Sequence, residues 1–208
     1  VTRLRVVLAT RNAHKVEEFA RILAAADLSL ELVPVTAFLD VPDVAETGET
    51  FEANALLKAS TIAAATGLPA VADDSGLCVD ALSGMPGILS ARWAGGHGDD
   101  AANLALVLGQ LRDVPDDRRG AKFVCAAALA LPPDVNGAQR SDFVIGELIG
   151  TLTREPRGTN GFGYDPIFVP AGHKLTTAEM ASGDKDSISH RGNALRALVP
   201  ILRALVAR

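Results

Sequence analysis

The chain has 208 residues, 48% of them hydrophobic and 22% charged, with a formal net charge of −5. That composition describes one globular domain with an ample core, read as a single bilobed unit over residues 1–208. The acidic balance and the few aromatics exclude a broad footprint for nucleic acid or an acidic membrane surface. A polyanionic ligand must therefore meet a local cluster of cations or a metal.

Residues 4–9 read as a buried strand, and the apolar run in VTRLRVVLAT is too short for a signal peptide. A helix follows from His14 to Ala26, with Val16, Phe19, Ala20 and Leu23 at i, i+3, i+4 and i+7 on its apolar face. Residues 28–33 read as a second strand, and 36–48, rich in Pro, Asp and Thr, as a loop. TFEANALLKASTIAAAT is a helix closed by Gly67 and Pro69. In AVADDSGLCVDAL, residues 70–82, an apolar run ends in two adjacent carboxylates, then Ser-Gly, then a second apolar run. SGMPG, 83–87, is turn chemistry.

A helix spans 100–112, with Leu104, Val107, Leu108 and Leu111 on its face. In the strand at 121–131, Phe123, Cys125, Leu129 and Leu131 share one face, and Val124, Ala126, Ala128 and Ala130 the other. Both faces are apolar, so this strand is covered on both sides, with a helix close on the alanine side. Residues 132–139 are a turn, 141–153 an antiparallel partner and 154–165 a Gly-rich loop. The last helix runs from Ser187 to Ala207, kinked at Pro200. Strands and helices mix along the chain, so the class is α/β or mixed α+β with a mixed sheet. No segment reaches the ~18 apolar residues of a membrane helix. Cys78 and Cys125 lie in apolar runs as core thiols, which suits a reducing, cytoplasmic setting.

Polar groups cluster at several junctions. Thr10, Asn12 and Lys15 stand at a strand end and helix start, where free N–H groups favour an anion. Taken alone, a capped helix with a surface lysine explains them better. Glu46 precedes the next helix, on which Asn54 and Lys58 share a face at i, i+4. A solvated face is the plainer account of that pair. Asp73 and Asp74 point to opposite faces if the strand continues through them, Asp74 on the side of Ala70 and Ala72. One carboxylate then ties down the turn at Ser75-Gly76 and the other holds a cation or takes a proton from water. GTNGFGYDP, 158–166, is a pliable loop whose aromatics either stack on a base or pack into the core. Lys185, His190 and Arg191 crowd a helix start, where cations oppose the macrodipole unless an anion binds.

ATRNAHKVEEF, ETGETFEANALLKA, ADDSGLCVDALSGMPGILSARWAG, GFGYDPIF and the run from AEM through ISHRGNALRAL together resemble the inosine/xanthosine triphosphate pyrophosphatases. Those are housekeeping enzymes that hydrolyse deaminated purine nucleoside triphosphates. The segments keep the family's order and span nearly the whole chain; each is weak alone and the set is specific.

The resemblance implies a long mixed β-sheet flanked by helices, in two lobes with the active-site cleft between them, usually as a homodimer. It implies that Thr10, Arg11, Asn12 and Lys15 bind the triphosphate and that Glu46 and Asp74 hold Mg2+. Asp74 is then the catalytic base and Ser75 a substrate contact. Phe162, Gly163, Tyr164 and Asp165 form part of the base pocket, Lys58 meets phosphate, and Lys185, His190 and Arg191 close over base and phosphates. Arg11 departs from the pattern, because many members have Gly there, which allows close backbone approach. It either adds a phosphate contact or points to solvent.

The implied reaction converts ITP, dITP or XTP and water to the monophosphate and pyrophosphate. A free Asp, with a pKa of ~3.9, is a weak base at neutral pH, so metal must acidify the water. A donor fixed at the purine 6-oxygen would reject adenine, and His190, Arg191 or a backbone N–H near Phe162 are the candidates. The rival readings are a metal-dependent phosphomonoesterase, which releases orthophosphate, and a non-catalytic nucleotide-binding protein.

Overall fold

The computed structural model describes residues 3–26, 28, 30–41 and 43–207. In chain order it has β1 (Leu4–Leu8), α1 (Ala13–Ala24), β2 (Leu30–Pro34), α2 (Phe51–Thr66) and β3 (Ala70–Val79). Then come α3 (Asp100–Gln110), β4 (Gly120–Ala130), β5 (Ser141–Leu152), β6 (Phe168–Pro170), α4 (Ser182–Ile188) and α5 (His190–Val206). The strands form one six-stranded sheet in the order β2-β1-β3-β4-β5-β6. It is mixed: β1 runs parallel to β2 and β3, and β5 antiparallel to β6.

The chain divides into two compact units, the first being Val1–Asp74, Cys125–Gly146 and Arg191–Arg208, the second Ser75–Val124 and Glu147–His190. In the first unit the alternation of strand side chains builds a core on each face of the sheet. On one face Val6, Leu8, Val71 and Cys125 pack with Phe19, Ile22 and Leu23 of α1 and Leu195, Leu198 and Leu202 of α5. On the other, Val7, Ala70, Ala72, Ala126, Ala128 and Ala130 pack with Ala55, Ala59 and Ala63 of α2. Alanine on both sides of that second contact lets the helix lie close to the strands, as the sequence of β4 predicts. Thr50 caps α2 by accepting from the Ala53 N–H at 3.1 Å, and Gly67 closes it at φ 66.

The second unit has its own core, in which Leu77, Val79, Phe123, Leu152, Ile167 and Phe168 pack with Leu104, Val107 and Leu111. Its buried Arg119 donates to the carbonyls of Leu111 (2.7 Å), Leu152 (3.0 Å) and Thr153 (2.7 Å). The planar guanidinium thereby satisfies three backbone acceptors at once and places a cation at the C-terminus of α3, where the dipole favours it.

The structure corrects several local expectations. β3 does not end at the paired carboxylates but runs unbroken from Ala70 to Val79, so Ser75-Gly76 is strand and not turn. On α1 Ala20 is exposed, while Glu18 and Ile22 are buried beside Phe19 and Leu23. A count of apolar residues misses a carboxylate that is buried because a cation meets it. The last helix is two, because Ser189 between them has extended backbone, φ −62 and ψ 151. α5 runs on through Pro200 to Val206. Parts of the expected strand at 28–33 and loop at 36–48 (residues 29 and 42) lie outside the described residues.

Candidate active site

Because β3 continues through them, Asp73 and Asp74 serve opposite faces of the sheet. Asp73 lies on the side of Val71, toward α1 and α5. Its Oδ2 accepts from Lys15 Nζ at 2.9 Å and Arg191 Nε at 3.2 Å, and the Cys125 thiol lies at 3.8 Å. Arg191 also pairs with the buried Glu18. Burial opposes the charge on Asp73, but Lys15, Arg191 and Lys58 outweigh it and hold this carboxyl well below the usual carboxylate range.

Asp74 lies on the side of Ala70 and Ala72, toward α2, and there the electrostatics have the opposite sign. Burial pushes its carboxyl above the ordinary value, Lys58 only partly offsets this, and repulsion from Glu46 adds to it. Its Oδ2 accepts from Asn54 Nδ2 at 3.0 Å, and its Oδ1 lies 3.5 Å from Lys58 Nζ. That ammonium also pairs with Glu46 Oε1 at 2.8 Å. Asp74, Asp73 and Glu46 together overcome burial and raise the Lys58 pKa. Two carboxylates from distant parts of the chain thus converge on one cation.

Asn54 is fully buried and fixes this geometry. Its Oδ1 accepts from the Gly48 N–H at 2.7 Å while its amide nitrogen holds Asp74. One side chain therefore ties the loop that carries Glu46 to the strand that carries Asp74. A Cβ at Gly48 would meet Ala53 Cβ and Asn54 Oδ1, both at 2.8 Å, which is closer than such contacts allow. Gly48→Ala is expected to cost about 1–3 kcal/mol through overpacking and to raise the divalent-ion concentration for half-maximal activity. Denaturant melts and a metal titration check it; an unchanged metal requirement would show that this loop does not set the site.

At the N-terminus of α1, Thr10 Oγ1 accepts from the Asn12 N–H and Asn12 Oδ1 from the Lys15 N–H, both at 3.2 Å. Arg11 reaches the loop before Glu46, with Nη2 on the Val41 carbonyl at 2.9 Å and Nε on Asp43 at 2.6 Å. The first unit therefore gathers Thr10, Arg11, Asn12, Lys15, Glu46, Lys58, Asp74 and Arg191.

The second unit holds the rest. Ser75 is half-buried in β3. Asp165 is buried and accepts from the Phe162 N–H (2.9 Å), Thr177 Oγ1 (2.8 Å) and Lys185 Nζ (2.7 Å), so it anchors its own loop. Tyr164 turns inward and donates its hydroxyl to the Ser90 carbonyl at 2.8 Å. Phe162 stays half-buried, with the Lys185 ammonium 5.5 Å from its ring centroid. The two aromatics of this loop thus divide between core and surface. The Gly163 N–H donates to Asp100 at 2.8 Å. His190 is buried, its ring stacked on Phe123 at 4.7 Å and 13°.

The family model described as the Ham1 family matches residues 6–201. The chain belongs to the Ham1 family. A dITP/XTP pyrophosphatase of Streptomyces avermitilis is 59% identical over 202 residues, 97% of this chain and 98% of that protein. A Ham1 protein of Coxiella burnetii superposes with a TM-score of 0.84 at 44% identity, covering 96% of this chain and 98% of that one. A nucleoside-triphosphatase/dITP/XTP pyrophosphatase structure from Mycobacterium abscessus is 53% identical, with a TM-score of 0.74, covering 96% and 100%.

In this Ham1-family chain, sequence reasoning missed Glu18 and gave Asp73 to a turn. A signal for Glu18 was present. Lys15, Glu18, Phe19 and Ile22 fall at i, i+3, i+4 and i+7, so two charged residues stand on the stripe that also carries core residues. Charges on a buried stripe require partners, and Asp73 and Arg191 supply them.

Proposed function

We propose that this Ham1-family pyrophosphatase hydrolyses ITP, dITP and XTP to the monophosphate and pyrophosphate, with Asp74 as general base and Glu46 and Asp74 as ligands of Mg2+. The observation that carries the reading is the convergence of these two carboxylates on a single cation position, at 2.8 and 3.5 Å from Lys58 Nζ. Among the described residues no group of three or more His, Cys, Asp or Glu could hold a metal. Two carboxylates would hold a hard cation such as Mg2+ and do not make a zinc centre. When bound, Mg2+ makes a coordinated water more acidic and offsets phosphate charge.

The chain's own groups divide the remaining work. Burial strengthens Asp74 as a base relative to an ordinary Asp, and Asn54 fixes the direction of its carboxylate. Lys15 and Lys58 supply positive charge for the triphosphate on the first unit. Asp73, Glu18 and Arg191 position Lys15 from below. In the second unit Phe162 offers an aromatic surface for the base, and Asp165 holds Lys185 beside it. Of the donors suggested for the purine oxygen, the Phe162 N–H is already given to Asp165 and Arg191 is engaged by Asp73 and Glu18. His190, Arg191 and a backbone N–H near Phe162 stay the candidates for this role. A cytoplasmic homodimer belongs to the same reading; among the described residues no helix is long and apolar enough to cross a membrane.

Purified protein incubated with ITP, dITP, XTP, ATP and GTP, with and without Mg2+, tests the proposal. The expected result is Mg2+-dependent pyrophosphate and monophosphate from the first three, with ATP and GTP nearly untouched. Orthophosphate as the direct product would make it a phosphomonoesterase, and tight binding without turnover a nucleotide-binding protein.

A further inference from the structure

We propose that Lys58 is a resident cation of the metal site: it competes with the divalent ion for Glu46 and Asp74 and passes to the substrate phosphates when that ion binds. The inference rests on the reading of those two carboxylates as metal ligands. The Lys58 ammonium pairs with both, and its side chain is only 13% exposed, against 22% for Glu46 and 6% for Asp74. Two partly desolvated carboxylates facing each other repel, and the ammonium removes that repulsion. A divalent ion bound by the same oxygens brings two further positive charges beside the ammonium, so the two cations cannot share the position at full strength.

The fold dictates which part moves. α2 is fixed by Ala55 and Ala59, both fully buried, and by Asn54 one turn before Lys58. The helix stays in place while the ammonium swings on its flexible four-carbon stem. Its natural destination is an anion, and the triphosphate is the anion this site receives. Metal binding thus frees a cation for the nucleotide, and the nucleotide, by accepting that cation, favours the metal. Such coupling is reciprocal by linkage.

Mn2+ binding, counted by the electron paramagnetic resonance of the free ion, tests this without turnover. The proteins are wild type, Lys58→Met, Lys58→Gln, Lys58→Arg and Glu46→Gln, each shown to be folded by circular dichroism. Without nucleotide, Lys58→Met and Lys58→Gln are expected to bind Mn2+ at least about fivefold tighter than wild type, the lower end of usual coupling. Lys58→Arg, which keeps the charge, is expected to stay near wild type. A non-hydrolysable ITP analogue should tighten Mn2+ binding in wild type and much less in the neutral variants. Equal or weaker Mn2+ affinity in whichever neutral variant folds overturns the proposal. A Glu46→Gln protein that binds Mn2+ as wild type does would instead overturn the ligand assignment itself.

Discussion

Asp74→Asn is expected to lower kcat for ITP by about 10²- to 10⁴-fold, the usual contribution of a positioned general base, without lowering the melting temperature. The folded state holds this carboxyl above its ordinary pKa, chiefly by burial. An acid whose pKa rises on folding opposes folding at any pH where it is ionised. The neutral amide removes that cost and keeps an oxygen for the Asn54 donor. Lost activity in a protein as stable as wild type would separate chemistry from folding. Steady-state kinetics at saturating Mg2+ and a thermal melt decide the matter, and near-wild-type kcat there would sink the assignment of Asp74 as base.

The neighbouring substitution should behave in reverse. Asp73→Asn removes the buried charge that faces Lys15 and Arg191, and breaking such a pair typically costs about 3–5 kcal/mol. The pH dependence follows from the direction of the shift. Asp73 has its pKa lowered on folding, so its stabilising contribution is complete above the unfolded value of ~3.9 and is lost as pH falls through the lower folded value. The stability difference between wild type and Asp73→Asn should therefore hold steady from neutral pH downward and shrink below about pH 4. Denaturant melts across that range test it. A difference that grows on acidification, or a variant as stable as wild type at pH 7, would mean that Asp73 is not a structural charge.

The contrast between adjacent residues shows what the sequence could and could not convey. The strand periodicity put Asp73 and Asp74 on opposite faces and Asp74 on the side of the small residues, and the structure has them so. The alanines of β4 announced a helix lying close, and α2 lies there. The partners of Asp73 were not readable, because Lys15 and Arg191 are brought to it by tertiary folding across 118 residues in the case of Arg191. Strand continuity through DDSG was missed because Asp, Ser and Gly are turn formers locally, and burial between two helical layers overrides that preference. Tyr164 turns inward into the second unit's core and finds its hydroxyl partner in the carbonyl of Ser90, 74 residues away, which no local pattern encodes.

The interleaving of the two units has a consequence for how the protein is made. The core of the first unit draws on β1 and α1 near the start of the chain and on Ala194, Leu195, Leu198 and Leu202 near its end. Arg191 meets Glu18 across 173 residues. Glu18 therefore leaves the ribosome long before Arg191, the cation that meets it in the folded unit. The first unit completes its core only once α5 has emerged, so its closure is dominated by long-range contacts. Without the last helix Glu18 and Asp73 would both lose Arg191, Asp73 keeping Lys15 alone, and the sheet face packed on α1 would lose Leu195, Leu198 and Leu202.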